Sequence, residues 1–114
     1  MYNKTIVPID MVKKSISLKN IGINELAWYG KDAIEAIEYL SKNGTLILGG
    51  DVYIISEQKI KLTYDNWYYI PVESRPHQEN IDAAKEKAIS YIQHFMRKNG
   101  NDYLYSIVCY GDST

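Results

Sequence analysis

Residues 45–71, TLILGGDVYIISEQKIKLTYDNWYYIP, limit what this chain can fold into more than any other stretch. Leu46-Ile47-Leu48 is a run too short for a good helix and is followed by two glycines. Apolar residues recur at even positions, Leu46, Leu48, Val52 and Ile54, and the alternation survives Gly49-Gly50. A period of two belongs to a strand, whose successive side chains leave on opposite faces. Two glycines inside a strand mark a bulge, a bend or a close backbone approach; a tight turn between two shorter strands is the rival reading. The continuing alternation favours one bent strand. Ser56-Glu57-Gln58 is a polar break, after which Ile60, Leu62 and Tyr64 alternate with Lys59, Lys61 and Thr63, as in a strand with one wet face. A central β-hairpin over 46–64 is therefore expected. Tyr64-Asp65-Asn66-Trp67 supplies turn residues, and Trp67-Tyr68-Tyr69-Ile70 resumes an extended run ended by Pro71.

The flanking segments read as helices and one further strand. Residues 1–8 form a lead-in. Ile9, Val12 and Ile16 share one helical face, which predicts a helix over 9–18 ended by Asn20-Ile21-Gly22. Residues 23–29 show no clean period and are assigned to a connection carrying Trp28. Asp32-Ala33-Ile34-Glu35 has the spacing of a capping box, with Ile34, Ile37 and Leu40 as the buried stripe and Lys42-Asn43-Gly44 as the stop. After a polar loop over 72–77, a long helix is expected over 80–98. Its apolar stripe is Ile81, Ala84, Ala88, Ile92 and Phe95, and Lys98-Asn99-Gly100 ends it. A last strand over 103–110 follows. The order predicts an α+β fold: a mostly antiparallel sheet with a central hairpin and about three helices packed against one face.

With 114 residues the chain has the size of one domain, 1–114, large enough to build a core without staples. A net charge of −1 argues against a nucleic-acid footprint. The single Cys109 cannot form an internal disulfide, and its apolar neighbours predict a buried thiol. Neither a signal-peptide layout nor an apolar run of membrane-spanning length is found, so a soluble cytoplasmic protein with no membrane partner is expected. Aromatic usage is skewed toward eleven tyrosines and two tryptophans against one phenylalanine. Tyrosine, with an apolar body and a polar tip, suits half-buried and contact surfaces.

The chemistry-bearing residues do not assemble into an enzyme motif. His77, His94 and Cys109 lie on a loop, a helix and a strand, without metal-ligand spacing. No serine sits in a nucleophile elbow, and no glycine-rich phosphate loop opens a helix. Gly49-Gly50-Asp51 matches the start of the GGDEF signature of diguanylate cyclases, but Val52-Tyr53 replaces Glu-Phe and the chain is much shorter than that domain. No metal, cofactor or catalytic residue is expected. Asp51, Asp65 and Glu73 are the carboxylates worth weighing. Asp65 fits its turn and Glu73 a solvated loop, whereas Asp51, beside two glycines in a strand, needs a partner such as neighbouring backbone or a tyrosine hydroxyl. Alternation puts Trp67 and Tyr69 on one face and Tyr68 on the other, so at least one of these aromatics lies near the surface.

Ile47-Leu48-Gly49-Gly50-Asp51-Val52-Tyr53 followed by Tyr64-Asp65-Asn66-Trp67-Tyr68, with a helix before and a helix after, resembles the immunity protein 40 family of bacterial polymorphic-toxin systems over residues 20–100. The resemblance implies a small cytoplasmic α+β protein that neutralises the C-terminal domain of a cognate toxin, often a nuclease delivered by contact-dependent neighbours, and it implies no catalytic residues. Interfaces concentrate their energy in aromatic and charged anchors. Asp51, Tyr53, Asp65, Trp67, Tyr68 and Glu73 are accordingly the expected partner-binding residues. The alternative is a small ligand-binding or enzymatic domain using Asp51 and the tyrosine cluster.

Overall fold

A computed structural model describes residues 7–111. The lead-in expected over 1–8 lies almost wholly outside them. The described elements run α1 Ile9–Lys14, β1 Ile16–Ser17, a 3₁₀ turn Lys19–Ile21, β2 Leu26–Tyr29, α2 Gly30–Lys42, β3 Ile47–Ser56, β4 Lys59–Tyr68, α3 His77–Asn99, β5 Tyr103–Ser106 and β6 Val108–Cys109. All strand pairings are antiparallel. The sheet has the order β1-β2-β5-β3-β4, with β6 also paired to β3. This is the expected α+β class.

The central hairpin forms, and it is longer than 46–64. Glu57 and Gln58 make its tight turn with φ of 53° and 66°, the left-handed pair that matches strand twist in a two-residue loop. The expected turn at 64–67 is absent, because β4 runs on to Tyr68. The turn-forming residues instead make a bulge. Asp51 faces Asn66 and Tyr53 faces Leu62, so three residues of β4 oppose Val52 alone. Tyr64 takes φ 71°, the Thr63 hydroxyl donates to the Val52 carbonyl at 3.0 Å, and the Asp65 N–H donates back to that hydroxyl at 3.1 Å. The bulge also overrides the Ile60, Leu62, Tyr64 alternation, leaving Tyr64 82% exposed.

Gly49-Gly50 lies inside the continuous β3, as expected. Gly50 faces Trp67 across the ladder, and a Cβ there would overlap both the Trp67 ring and the Ser106 carbonyl oxygen. Gly49 has φ 156°, and its Cβ would run into the Trp67 carbonyl and lie 3.0 Å from Tyr68 Cα. The register against β6 also slips between Ile47 and Gly49. Leu46 and Leu48 therefore pack on Ile81 and Ala84 of α3, while Ile47 joins Val52 in the principal core.

Other boundaries moved for local reasons. Helix α1 stops at Lys14 rather than 18, because the Ser15 hydroxyl and N–H both return to the Val12 carbonyl, at 2.6 and 3.0 Å. Ile16-Ser17 then pairs with β2, and the 3₁₀ turn ends at Gly22 with φ 80°. The segment assigned to a connection contains β2, whose Leu26, Ala27 and Trp28 are all buried. A four-residue strand buried on both faces shows no period. Trp28 is fully buried and donates from Nε1 to the Met11 carbonyl at 2.8 Å. The capping box does not form: α2 starts at Gly30 without a side-chain cap, and Glu35 ion-pairs with Lys14 at 3.0 Å. Ile37 and Leu40 are buried as expected, and Ala33 and Ala36 complete their stripe, with Ile34 half-buried. The stripe of α3 is buried at all five expected positions. The last strand divides at Ile107 into β5 and β6.

Helices α2 and α3 lie on one face of the sheet over Trp28, Val52, Trp67 and Tyr105. The opposite face carries a smaller cluster in which Leu18 covers Ala27, Tyr53 and Leu104, with Ile16, Ile23, Ile55 and Ile60 around it. Cys109 is buried, as expected. Gly50→Val forces a branched side chain into Trp67 and the Ser106 backbone. It is expected to cost about 2 kcal/mol or more by overpacking, read as a lower denaturant midpoint at unchanged slope.

Candidate functional site: the open end of the outer sheet face

The segment from β1 through the 3₁₀ turn covers one end of the outer face and leaves the other end bare. Period two sends Val52 under the helices and Asp51 and Tyr53 outward. Tyr53 is only 1% exposed, seated beside Leu18, Ala27 and Leu104. Burial, with the Asp51 charge adding to it, pushes its hydroxyl up to about 12, while a hydrogen bond with Ser106 acts the other way. Ser106 is fully buried, and its hydroxyl accepts the Asp51 N–H at 3.1 Å. This bond engages the Asp51 backbone alone; the partner expected for its carboxylate, neighbouring backbone or a tyrosine hydroxyl, is not found among the described residues. The Asp51 carboxyl is half-buried and lies above the usual carboxylate range, for which burial is the cause. Among the described residues no ion pair reaches it.

Asn66 faces Asp51 across the ladder, and Tyr68 faces Gly49. With Val108 on the far side of Gly49, these residues border a shallow hollow of about 220 Å³. Tyr68 is 62% exposed, and the Lys87 ammonium lies 5.1 Å from its ring centre. A larger hollow of about 500 Å³ lies between α2 and α3 around Tyr29, Ile34 and Met96, with Lys31 its one ionisable lining group besides Tyr29. It brings no carboxylate, nucleophile or imidazole together.

The expected partner-binding residues are divided by this arrangement. Asp51, Tyr53 and Tyr68 belong to the outer face, with Tyr53 sealed beneath it. Trp67 is buried under α3, 5.3 Å from the Tyr91 ring, so it cannot act as an exposed anchor. Alternation toward the helices, read correctly for the face, explains why. Asp65 is exposed on β4, and its charge adds to burial in raising the Tyr91 hydroxyl. Glu73 is exposed on the loop after β4.

Tyr64, part of the expected tyrosine cluster, was not counted among the partner-binding residues, and neither were Asn66, Ile70 and Asn80. Tyr64 and Ile70 are 82% and 72% exposed, and with Tyr68 they put three large apolar side chains along and just beyond the edge strand. Asn80 is buried and ties the loop to α3. Its Oδ1 accepts the Tyr69 hydroxyl at 2.6 Å and the Val72 N–H at 2.9 Å, and its Nδ2 donates to the Val72 carbonyl at 2.9 Å. A polar residue interrupting the first turn of an apolar stripe was the available signal. Among the described residues no group of three or more His, Cys, Asp or Glu converges as a metal site, and no helix is long and apolar enough to cross a membrane.

Residues 17–109, from β1 to β6, match the family model described as Immunity protein 40. Comparison with curated proteins and with solved structures gave no match.

The Asp51 shift sets a sign. Folding disfavours the ionised carboxyl, so the penalty is absent well below the ordinary value of 3.8, where both states are protonated. It grows as pH rises through the carboxylate range and is constant above the raised folded value. Asp51→Asn should therefore melt with the parent in acid and melt higher than the parent at about pH 7. Thermal melts across pH check this.

Proposed function

The chain belongs to the immunity protein 40 family, and from that premise we propose that it binds the C-terminal domain of a cognate toxin and neutralises it by occlusion, through β4 and the open end of the outer face. The observation that carries the location is the row of exposed Tyr64, Tyr68 and Ile70 on and beyond an edge strand. Exposed aromatic and large apolar side chains cost solubility, and tyrosine is enriched among residues that dominate binding energy. Lys59 and Lys61 and the Tyr64 bulge keep the same edge from pairing indiscriminately with other strands.

On this reading neutralisation takes place in the cytoplasm, needs no catalytic step or cofactor, and is stoichiometric. The toxin is a nuclease, whose phosphate-holding cations meet the Asp51 carboxylate on the outer face and the exposed carboxylates of Asp65 on β4 and Glu73 on the loop after it. Charge complementarity of that kind raises the association rate and rejects wrong partners. The overall charge of −1 makes it a local effect.

If a large secreted toxin is encoded directly upstream, co-expression with its C-terminal domain should restore growth and yield a one-to-one complex. Tyr64→Ala and Tyr68→Ala remove exposed side chains and should leave the circular dichroism spectrum unchanged. Each should weaken the complex by about 2 kcal/mol or more, some thirty-fold in Kd, and raise the amount of immunity protein needed for protection. Folded variants that bind and protect like the parent would put the interface elsewhere.

A further inference from the structure

Tyr68, Gly49 and Val108 form one row across β4, β3 and β6, and the middle member has no side chain. Two positions along β3, Asp51 borders the resulting gap, with Asn66 opposite it. Tyr68, Asp51, Asn66 and Val108 thus bring an aromatic ring, a carboxylate, a primary amide and an aliphatic side chain to the rim of the gap, and Leu48, Gly50 and Trp67 complete its lining. We propose that it is a socket for a single arginine side chain presented by the bound toxin domain, an inference that rests on the binding reading above and names the chemistry of its central contact.

The ring, the carboxylate and the amide each match one property of a guanidinium. Its flat face stacks on tyrosine, its fork of N–H groups pairs with a carboxylate through two parallel bonds, and a further N–H is left for the Asn66 carbonyl oxygen. The Tyr68 ring already attracts a cation in the free protein, since Lys87 stands 5.1 Å from its centre. Asp51 is half-buried, anchored through its N–H to the buried Ser106 hydroxyl, and free of any ion pair among the described residues. A carboxylate held in this way has lost part of its hydration without gaining a counter-charge, and an incoming guanidinium supplies that charge. Burial of the Asp51 carboxyl, which raises its pKa, agrees with this geometry. The hollow of about 220 Å³ fits one side chain rather than a cofactor.

The test has two arms. In the first, the whole chain is titrated with Nα-acetyl-arginine methylamide and followed by amide NMR, with the citrulline and lysine counterparts as controls. Saturable shifts at Gly49, Asp51, Asn66 and Tyr68 are expected with the arginine probe, and Asp51→Asn and Tyr68→Ala should each abolish them. Shifts elsewhere, no shifts, or equal shifts with citrulline overturn the socket; equal shifts with lysine overturn its assignment to arginine. In the second arm, Asp51→Asn should weaken toxin-domain binding at least ten-fold. A parent that binds the toxin while Asp51→Asn binds equally well refutes the socket and leaves the binding reading standing. A parent that fails to bind the toxin yet takes the arginine probe refutes the reading and leaves the socket standing.

Discussion

The contact of Trp67 with Gly50 holds the two layers of this protein together. Gly50 is the position directly across the ladder from Trp67, and the indole lies over it where any side chain would stand. A glycine weakens a strand, and an aromatic ring covering it from the neighbouring strand restores the lost contact area. The same ring stacks at 5.3 Å on Tyr91, which continues to Phe95 and from there edge-on to Tyr103 and Tyr105. One aromatic chain therefore links the edge strand to α3 and to the middle of the sheet. The position of β4, and with it the outward presentation of Tyr68, depends on that link.

The sequence was legible where a period ran long enough to be counted. Helix α3 has a stripe of five buried apolar residues over four turns, and that stripe was read in full, although the helix begins at His77 rather than 80 and buries Asn80 as well. Strand β2 has only four residues, three of them buried, so nothing in its pattern separates it from a loop. The capping box had the right letters, but Glu35 finds a cation in α1, a partner that spacing within α2 cannot reveal. Tyr64-Asp65-Asn66 was read as a turn because those residues favour one. The tendency was real, and the pairing of 66–68 with 49–51 turned it into a bulge. For the site, alternation separated Tyr68 from Trp67 correctly, but treating Trp67 as an anchor ignored which of the two faces the helices would cover. Tyr64 and Asn66 depend on strand register, which a two-residue slip conceals.

The outer face shows how stability and binding divide the same surface. Where Leu18 covers it, Tyr53 and Leu104 are sealed and the face is ordinary core. Where that cover ends, an acidic group has been left partly dehydrated without a cation. Such an arrangement lowers the stability of the free protein. Its presence beside exposed aromatics is what a surface organised for a partner, rather than for folding alone, would contain.

The bulge in β4 has a further consequence. It separates the hairpin into two ladders with independent registers: the tip, Tyr53–Ser56 against Lys59–Leu62, and the base, Gly49–Asp51 against Asn66–Tyr68. Residues gained or lost at the tip alter the distal ladder alone, since the slack is taken up at Thr63–Asp65. The hairpin can thus vary in reach while the row containing Gly49 stays in step. For a lineage pressed by changing adversaries, such a slip joint lets the outer arm diversify without reworking the part that the core holds in place.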